Sequence, residues 1–114
     1  MNETKALDRL QRKLTIENLW LYIMKSLIDA KQPLSGYDIK IQLRENFGIN
    51  PPAITVYTVI YRMVREGLIG KVNGNNGVKY VPREKGLYAF NKALNFLKQT
   101  YSKLAGVVED EKID

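Results

Sequence analysis

A mainly α fold with a small β-hairpin is what this sequence predicts, and three observations predict it. Apolar residues recur at three- and four-residue spacing through successive stretches between Lys5 and Val108. The pentapeptide "NGNNG" at 73–77 separates two short β-type runs, Ile69 to Val72 and Val78 to Val81. The last periodic stretch is the longest, so the chain should end on a long helix.

Composition narrows the partners before any motif does. With 114 residues, 45% of them hydrophobic and 26% charged, the chain has the profile of a single folded domain with a small core. Formal net charge is +6 and the sequence pI is about 9.6. The last six residues, Glu109 to Asp114, hold four acids and one lysine, so residues 1–108 carry +9. Such an excess favours a polyanion, either nucleic acid or an anionic membrane surface. The chain has no Cys and no His. It therefore lacks the usual zinc ligands and the commonest general acid and base, and no metal or other cofactor is expected. Asp38, Glu45, Glu66 and Glu84 each have a role as cap or solvated charge, and no carboxylate pair has a nucleophile beside it, so no enzyme is expected. The apolar run Leu19 to Met24 is too short to span a bilayer and lacks signal-peptide flanks, so no membrane association and a cytoplasmic location are expected.

Each element has its own signal. Leu7, Leu10 and Leu14 lie at helical spacing among charged residues and predict an amphipathic N-terminal helix over residues 1–14. Thr15 is a cap for a continuation through Ile28, within which "LWLYIM" is apolar almost all round and must be covered on more than one side. It is either a central core helix or one that also lines a subunit contact, through Leu19, Trp20, Tyr22 and Ile23. Ser35 and Asp38 have the spacing of a capping box, Ile39, Leu43 and Phe47 form the inner face of the next helix, and Gly48 closes it.

The third helix of the central region, 53–66, follows the turn "NPP" and ends at Gly67. Val56, Tyr57, Ile60, Met63 and Val64 anchor one side, whereas Thr55, Thr58, Arg62 and Arg65 fall on the other. The hairpin follows, with Lys71 and Lys79 flanking a tip that offers the amides of Asn73, Asn75 and Asn76. Leu87, Phe90, Leu94, Leu97, Tyr101, Leu104 and Val108 then form a heptad seam. Each large apolar side chain left bare forgoes about 1.5 to 3 kcal/mol, so the seam calls for a partner helix, either from a second copy or from Leu7, Leu10 and Leu14 of the same chain.

Helix, helix, turn, helix, hairpin, long helix is the order of a winged helix-turn-helix domain with a long C-terminal dimerisation helix. In that architecture the third helix enters the DNA major groove and the hairpin is the wing. The expected DNA contacts are Thr55, Tyr57, Thr58, Tyr61, Arg62 and Arg65 on the helix and Lys71, Asn75, Asn76 and Lys79 on the wing. Thr58 and Arg62 are best placed for base edges or nearby phosphates. The expected dimer contacts are Leu19, Trp20, Tyr22 and Ile23 with Phe90, Leu94, Leu97, Tyr101 and Leu104. The chain divides into an N-terminal helix (1–14), a DNA-binding domain (15–86), a dimerisation helix (87–108) and an acidic tail (109–114).

"LSGYDI", "VYTVIYRMVREGLI" and "KYVPREKG" resemble, in order, the PadR-like transcriptional regulators, over roughly Leu19 to Phe90. The resemblance implies a homodimeric regulator, usually a repressor, that binds double-stranded DNA, with Tyr37 and Tyr57 at signature tyrosine positions. The chain departs from the family at Arg83, where a threonine cap is usual, at Pro82, which replaces a leucine, and at Val64 and Arg65, which replace glutamates. Its single C-terminal helix resembles the compact branch and leaves less room for a small-molecule effector, which nothing in the residues indicates. Two other readings fit the same charge: a sequence-independent, chromatin-type DNA-binding protein, and a winged-helix module that binds an acidic protein.

Overall fold

The computed structural model describes residues 4–107. Local capping sets most of its boundaries. Thr4 accepts a hydrogen bond from the Leu7 amide (3.1 Å) and opens helix α1, Lys5–Leu14. A short 3-10 turn, Ile16–Asn18, links it to α2, Leu19–Ala30. The predicted capping box is present at the start of α3, Gly36–Phe47. Ser35 Oγ accepts from the Asp38 amide (3.0 Å) and the Asp38 carboxylate accepts from the Ser35 amide (3.1 Å). Helix α4, Ala53–Glu66, ends where Gly67 takes φ 82° and its amide donates to the Met63 and Val64 carbonyls. A left-handed residue at this place satisfies carbonyls that the helix leaves free.

Strands β1, Ile69–Gly74, and β2, Gly77–Pro82, form the hairpin, registered from Ile69 opposite Pro82 to Gly74 opposite Gly77. The turn is thus two residues, Asn75 and Asn76, and the strands run further toward the tip than their β-type runs. Leu34 adds an antiparallel bridge to Tyr80, with amide-to-carbonyl distances of 3.1 and 2.8 Å. This ties the base of the hairpin to the entry of α3. Helix α5, Glu84–Ala105, starts three residues before the seam begins at Leu87. Arg83 occupies its cap position without a side-chain hydrogen bond, and its guanidinium instead lies over the backbone of Gly70.

The core is organised around α2, which packs against α3, α4, β2 and α5. Leu19, Ile23, Met24 and Leu27 are almost wholly buried there, against Ile39 and Leu43 of α3, Val56, Ile60 and Met63 of α4, Ile69 of β1 and Phe90 of α5. Three dimer expectations are corrected by this packing. Leu19 and Ile23 face the chain's own core, as does Phe90, so none of the three has surface to give to a second copy. Trp20 and Tyr22 are half-buried, and the Tyr22 ring meets Phe47 edge-on at 5.2 Å. The "LWLYIM" helix is covered on several sides by neighbours within one chain.

Beyond Phe90, α5 leaves the globule. Leu94, Tyr101 and Leu104 are exposed and Leu97 is half-buried; Val108 lies outside the described residues. Helix α1 contains no buried residue, and Leu7, Leu10 and Leu14 are exposed as well. The fold-back alternative therefore covers neither stripe. The described residues span 52 × 45 × 23 Å, with α1 and the end of α5 projecting from the body.

Candidate nucleic-acid interface

Helix α4 is held by one stripe and presents another. Val56, Ile60 and Met63 are buried to 2% exposure or less. At 100° per residue, Ile54, Thr58, Tyr61 and Arg65 lie half a turn away and form one outward ridge. All four are exposed, Ile54 to 74% and Tyr61 to 61%. The Arg65 guanidinium sits 5.6 Å from the centre of the Tyr61 ring, a cation–π pair that fixes both side chains on the ridge. Thr58 Oγ donates to the Ile54 carbonyl (2.8 Å), so its hydroxyl proton is already engaged within the helix.

The other predicted contacts leave the ridge on either side. On the hairpin side lies Tyr57, whose ring covers Gly36 so closely that a Cβ there would stand 2.2 Å from ring carbon Cε1. A glycine at 36 is therefore what lets α4 and its tyrosine approach α3. Tyr80, half-buried at the base of the wing, has a phenol pushed above its ordinary pKa by burial and, secondarily, by Tyr57. On the α5 side, Thr55 and Arg62, with Ile54 and Thr58 of the ridge at its rim, line an open groove of about 1330 Å³ bounded by the start of α2, by Val59 and Met63, and by Ala89 and Phe96 of α5. Glu66, Lys85 and Lys92 stand at the same groove, so Arg62 has a mixed-charge setting off the outward ridge. The single C-terminal helix suggested little internal space; the volume arises because α5 stands away from α4 once Phe90 has entered the core.

The wing residues are also separated by register. Lys71 pairs with Tyr80, and Lys79 pairs with Val72. Paired residues share a face and neighbours alternate, so the two lysines project from opposite faces of the ribbon. Asn75 and Asn76 are exposed at its tip. The sequence pattern missed Ile54, which the 54, 58, 61, 65 spacing would have placed on the ridge; Tyr37, singled out by the family resemblance, is 66% exposed at the start of α3. Among the described residues, no cluster of three or more His, Cys, Asp or Glu could hold a metal ion, and no helix is long and apolar enough to cross a membrane.

No protein-family model and no curated protein matches the chain. Solved structures do. A transcriptional regulator from Clostridium thermocellum superposes with TM-score 0.70 at 16% identity, over 95% of this chain and 100% of that one. A winged-helix DNA-binding protein from STIV gives 0.65 at 19%, over 74% and 90%. A PadR-like transcriptional regulator from Bacillus cereus gives 0.61 at 19%, over 83% and 96%. At these identities the likeness establishes the winged-helix fold, and the PadR-like resemblance continues to rest on the quoted residues.

Proposed function

We propose that this chain is a sequence-specific DNA-binding transcriptional regulator, acting as a homodimeric repressor on a palindromic operator. The observation that carries the proposal is the outward ridge of α4, exposed along its length and backed by a stripe that is wholly buried. In a winged helix that ridge is the surface that enters the major groove, its N-terminal residues nearest the base edges. Thr55, Tyr57 and Arg62 flank it within reach of phosphates, and Lys71, Asn75, Asn76 and Lys79 serve the wing's contacts to the sugar-phosphate backbone. Residues 15–86 form the DNA-binding part and α5 beyond them is the dimerisation helix, where Leu94, Leu97, Tyr101 and Leu104 meet a second copy beside Trp20 and Tyr22. Two α4 helices related by a two-fold axis would read half-sites about 34 Å apart. Repression would follow from occupancy of the promoter.

The test is a titration of the purified protein against the DNA upstream of its own gene and against a random duplex of equal length, at two salt concentrations. Tighter upstream binding that persists at the higher salt supports the regulator. Equal binding that collapses with salt supports the sequence-independent DNA-binding protein, for which the +9 of residues 1–108 would suffice. Absence of binding to either duplex points to the protein-interaction module.

A further inference from the structure

Side chains that read bases by hydrogen bonding are mainly arginine and lysine on guanine and asparagine and glutamine on adenine, with acids on cytosine. The first nine residues of α4, "AITVYTVIY" at 53–61, contain none of these residue types. Most of its polar groups are engaged or displaced, and the exposed Tyr61 at its end has its ring engaged by the Arg65 guanidinium 5.6 Å away. Thr55 is half-buried beside the α5 groove, which Ile54 and Thr58 also border while staying exposed, Tyr57 lies on Gly36, and the Thr58 hydroxyl donates to the Ile54 carbonyl at 2.8 Å. What remains outward at the N-terminal end is the Ile54 side chain, 74% exposed, with Thr58 exposed one turn later. Single exposed apolar residues are common on protein surfaces. Here, however, the apolar groups occupy the part of a winged-helix α4 that comes closest to base edges, with Arg65 and Arg62 behind them to supply charge for phosphate.

The major groove offers one apolar recognition group, the C5-methyl of thymine. We propose that the α4 ridge reads thymine methyl groups, with Ile54 and Thr58 as the specificity-determining residues; this rests on the DNA-reading function proposed above. Each half-site then contains at least one thymine whose methyl, rather than its hydrogen-bonding edge, is selected. Thr58 acts through its methyl because its hydroxyl proton is held by the helix and cannot be donated to a base.

The test removes the methyl from the DNA and leaves every base pair intact. Duplexes bound by the wild-type protein are selected from a random library, and each thymine of the selected site is replaced in turn by deoxyuridine. Affinity should fall about four-fold at one or more positions per half-site, the effect of burying one methyl group. Ile54→Ala should bind the thymine and uracil forms of its own position equally. Thr58→Val, which keeps methyl groups and loses the hydroxyl, should retain affinity, whereas Thr58→Ser should lose it. Both positions are exposed, so neither change disturbs the core. Equal wild-type binding to thymine and uracil duplexes would overturn the inference and leave the regulator standing, as would a harmless Thr58→Ser with a damaging Thr58→Val. Failure to select any sequence from the library would overturn both.

Discussion

Gly36 and Gly86 are both buried near the start of a helix, and a methyl group on either would meet an atom at closer than van der Waals distance. The consequences differ because the atoms differ. At Gly86 a Cβ would stand 2.1 Å from the Leu68 carbonyl oxygen, which is backbone and itself accepts the Arg83 amide at 3.0 Å. Neither side can yield without moving β1 or α5. Gly86→Ala is expected to destabilise the fold by about 1 to 3 kcal/mol, the usual cost of overpacking, as read by urea denaturation. At Gly36 the obstacle is the outer end of the Tyr57 ring, which can swing into solvent. Gly36→Ala should therefore alter stability by less than about 1 kcal/mol, since alanine is the better helix former, yet weaken DNA binding by displacing Tyr57. A Gly36→Ala protein as unstable as Gly86→Ala would show that the ring is fixed more firmly than its 45% exposure implies.

Helices α1 and α5 share a property that the rest of the fold does not: their apolar stripes lack intramolecular cover. For α1 this holds along its length, and for α5 beyond Phe90 it holds at Leu94, Tyr101 and Leu104, with Leu97 half-buried. With 22 residues, α5 is about 33 Å long, so most of it extends past the core it enters. Leu94→Lys combined with Leu104→Lys is expected to convert a dimer to a monomer in sedimentation velocity. Helix content by circular dichroism should be unchanged, because neither leucine is buried in the chain's own core. Unchanged sedimentation would remove α5 from the proposed interface and leave α1 as the candidate. The heptad seam was legible because it is a property of spacing. Which members of the seam remain uncovered was not, because that depends on where α5 leaves the body, and Phe90 is the last seam residue that the core takes in.

The whole molecule adds charge to this geometry. Its cations are spread over several elements, among them Arg62 at the groove, Arg65 on the ridge and Lys71 and Lys79 on opposite faces of the wing. Such a distribution favours affinity for the phosphate backbone generally, with sequence selection left to a few side chains. Arg62→Ala and Lys79→Ala are each expected to lower affinity for selected and random duplexes alike. Each should also reduce the slope of log affinity against log salt by about one unit for every phosphate that is no longer neutralised. Of the base-edge and phosphate contacts that the sequence leaves open for Arg62, this prediction takes the phosphate contact. A loss confined to the selected duplex would restore the base-reading role.

The sequence by itself determined the elements and their order. The Ser35–Asp38 box, the glycines that close α3 and α4, and the Asn- and Gly-rich turn all act within about four residues of themselves, so their signals are complete in the local chain. Helical spacing likewise identified the buried stripe of α4. Only the tertiary structure decided how the elements are turned relative to one another. It sent Leu19 and Ile23 into the core, set α5 across a groove from Thr55 and Arg62, laid Tyr57 on Gly36 and left Ile54 exposed at the rim of that groove. These orientations depend on contacts between residues far apart in sequence, chiefly the packing of α2 among α3, α4 and α5. Periodicity fixes which side chains share a face; the neighbours that the folded chain supplies determine which faces remain for a partner.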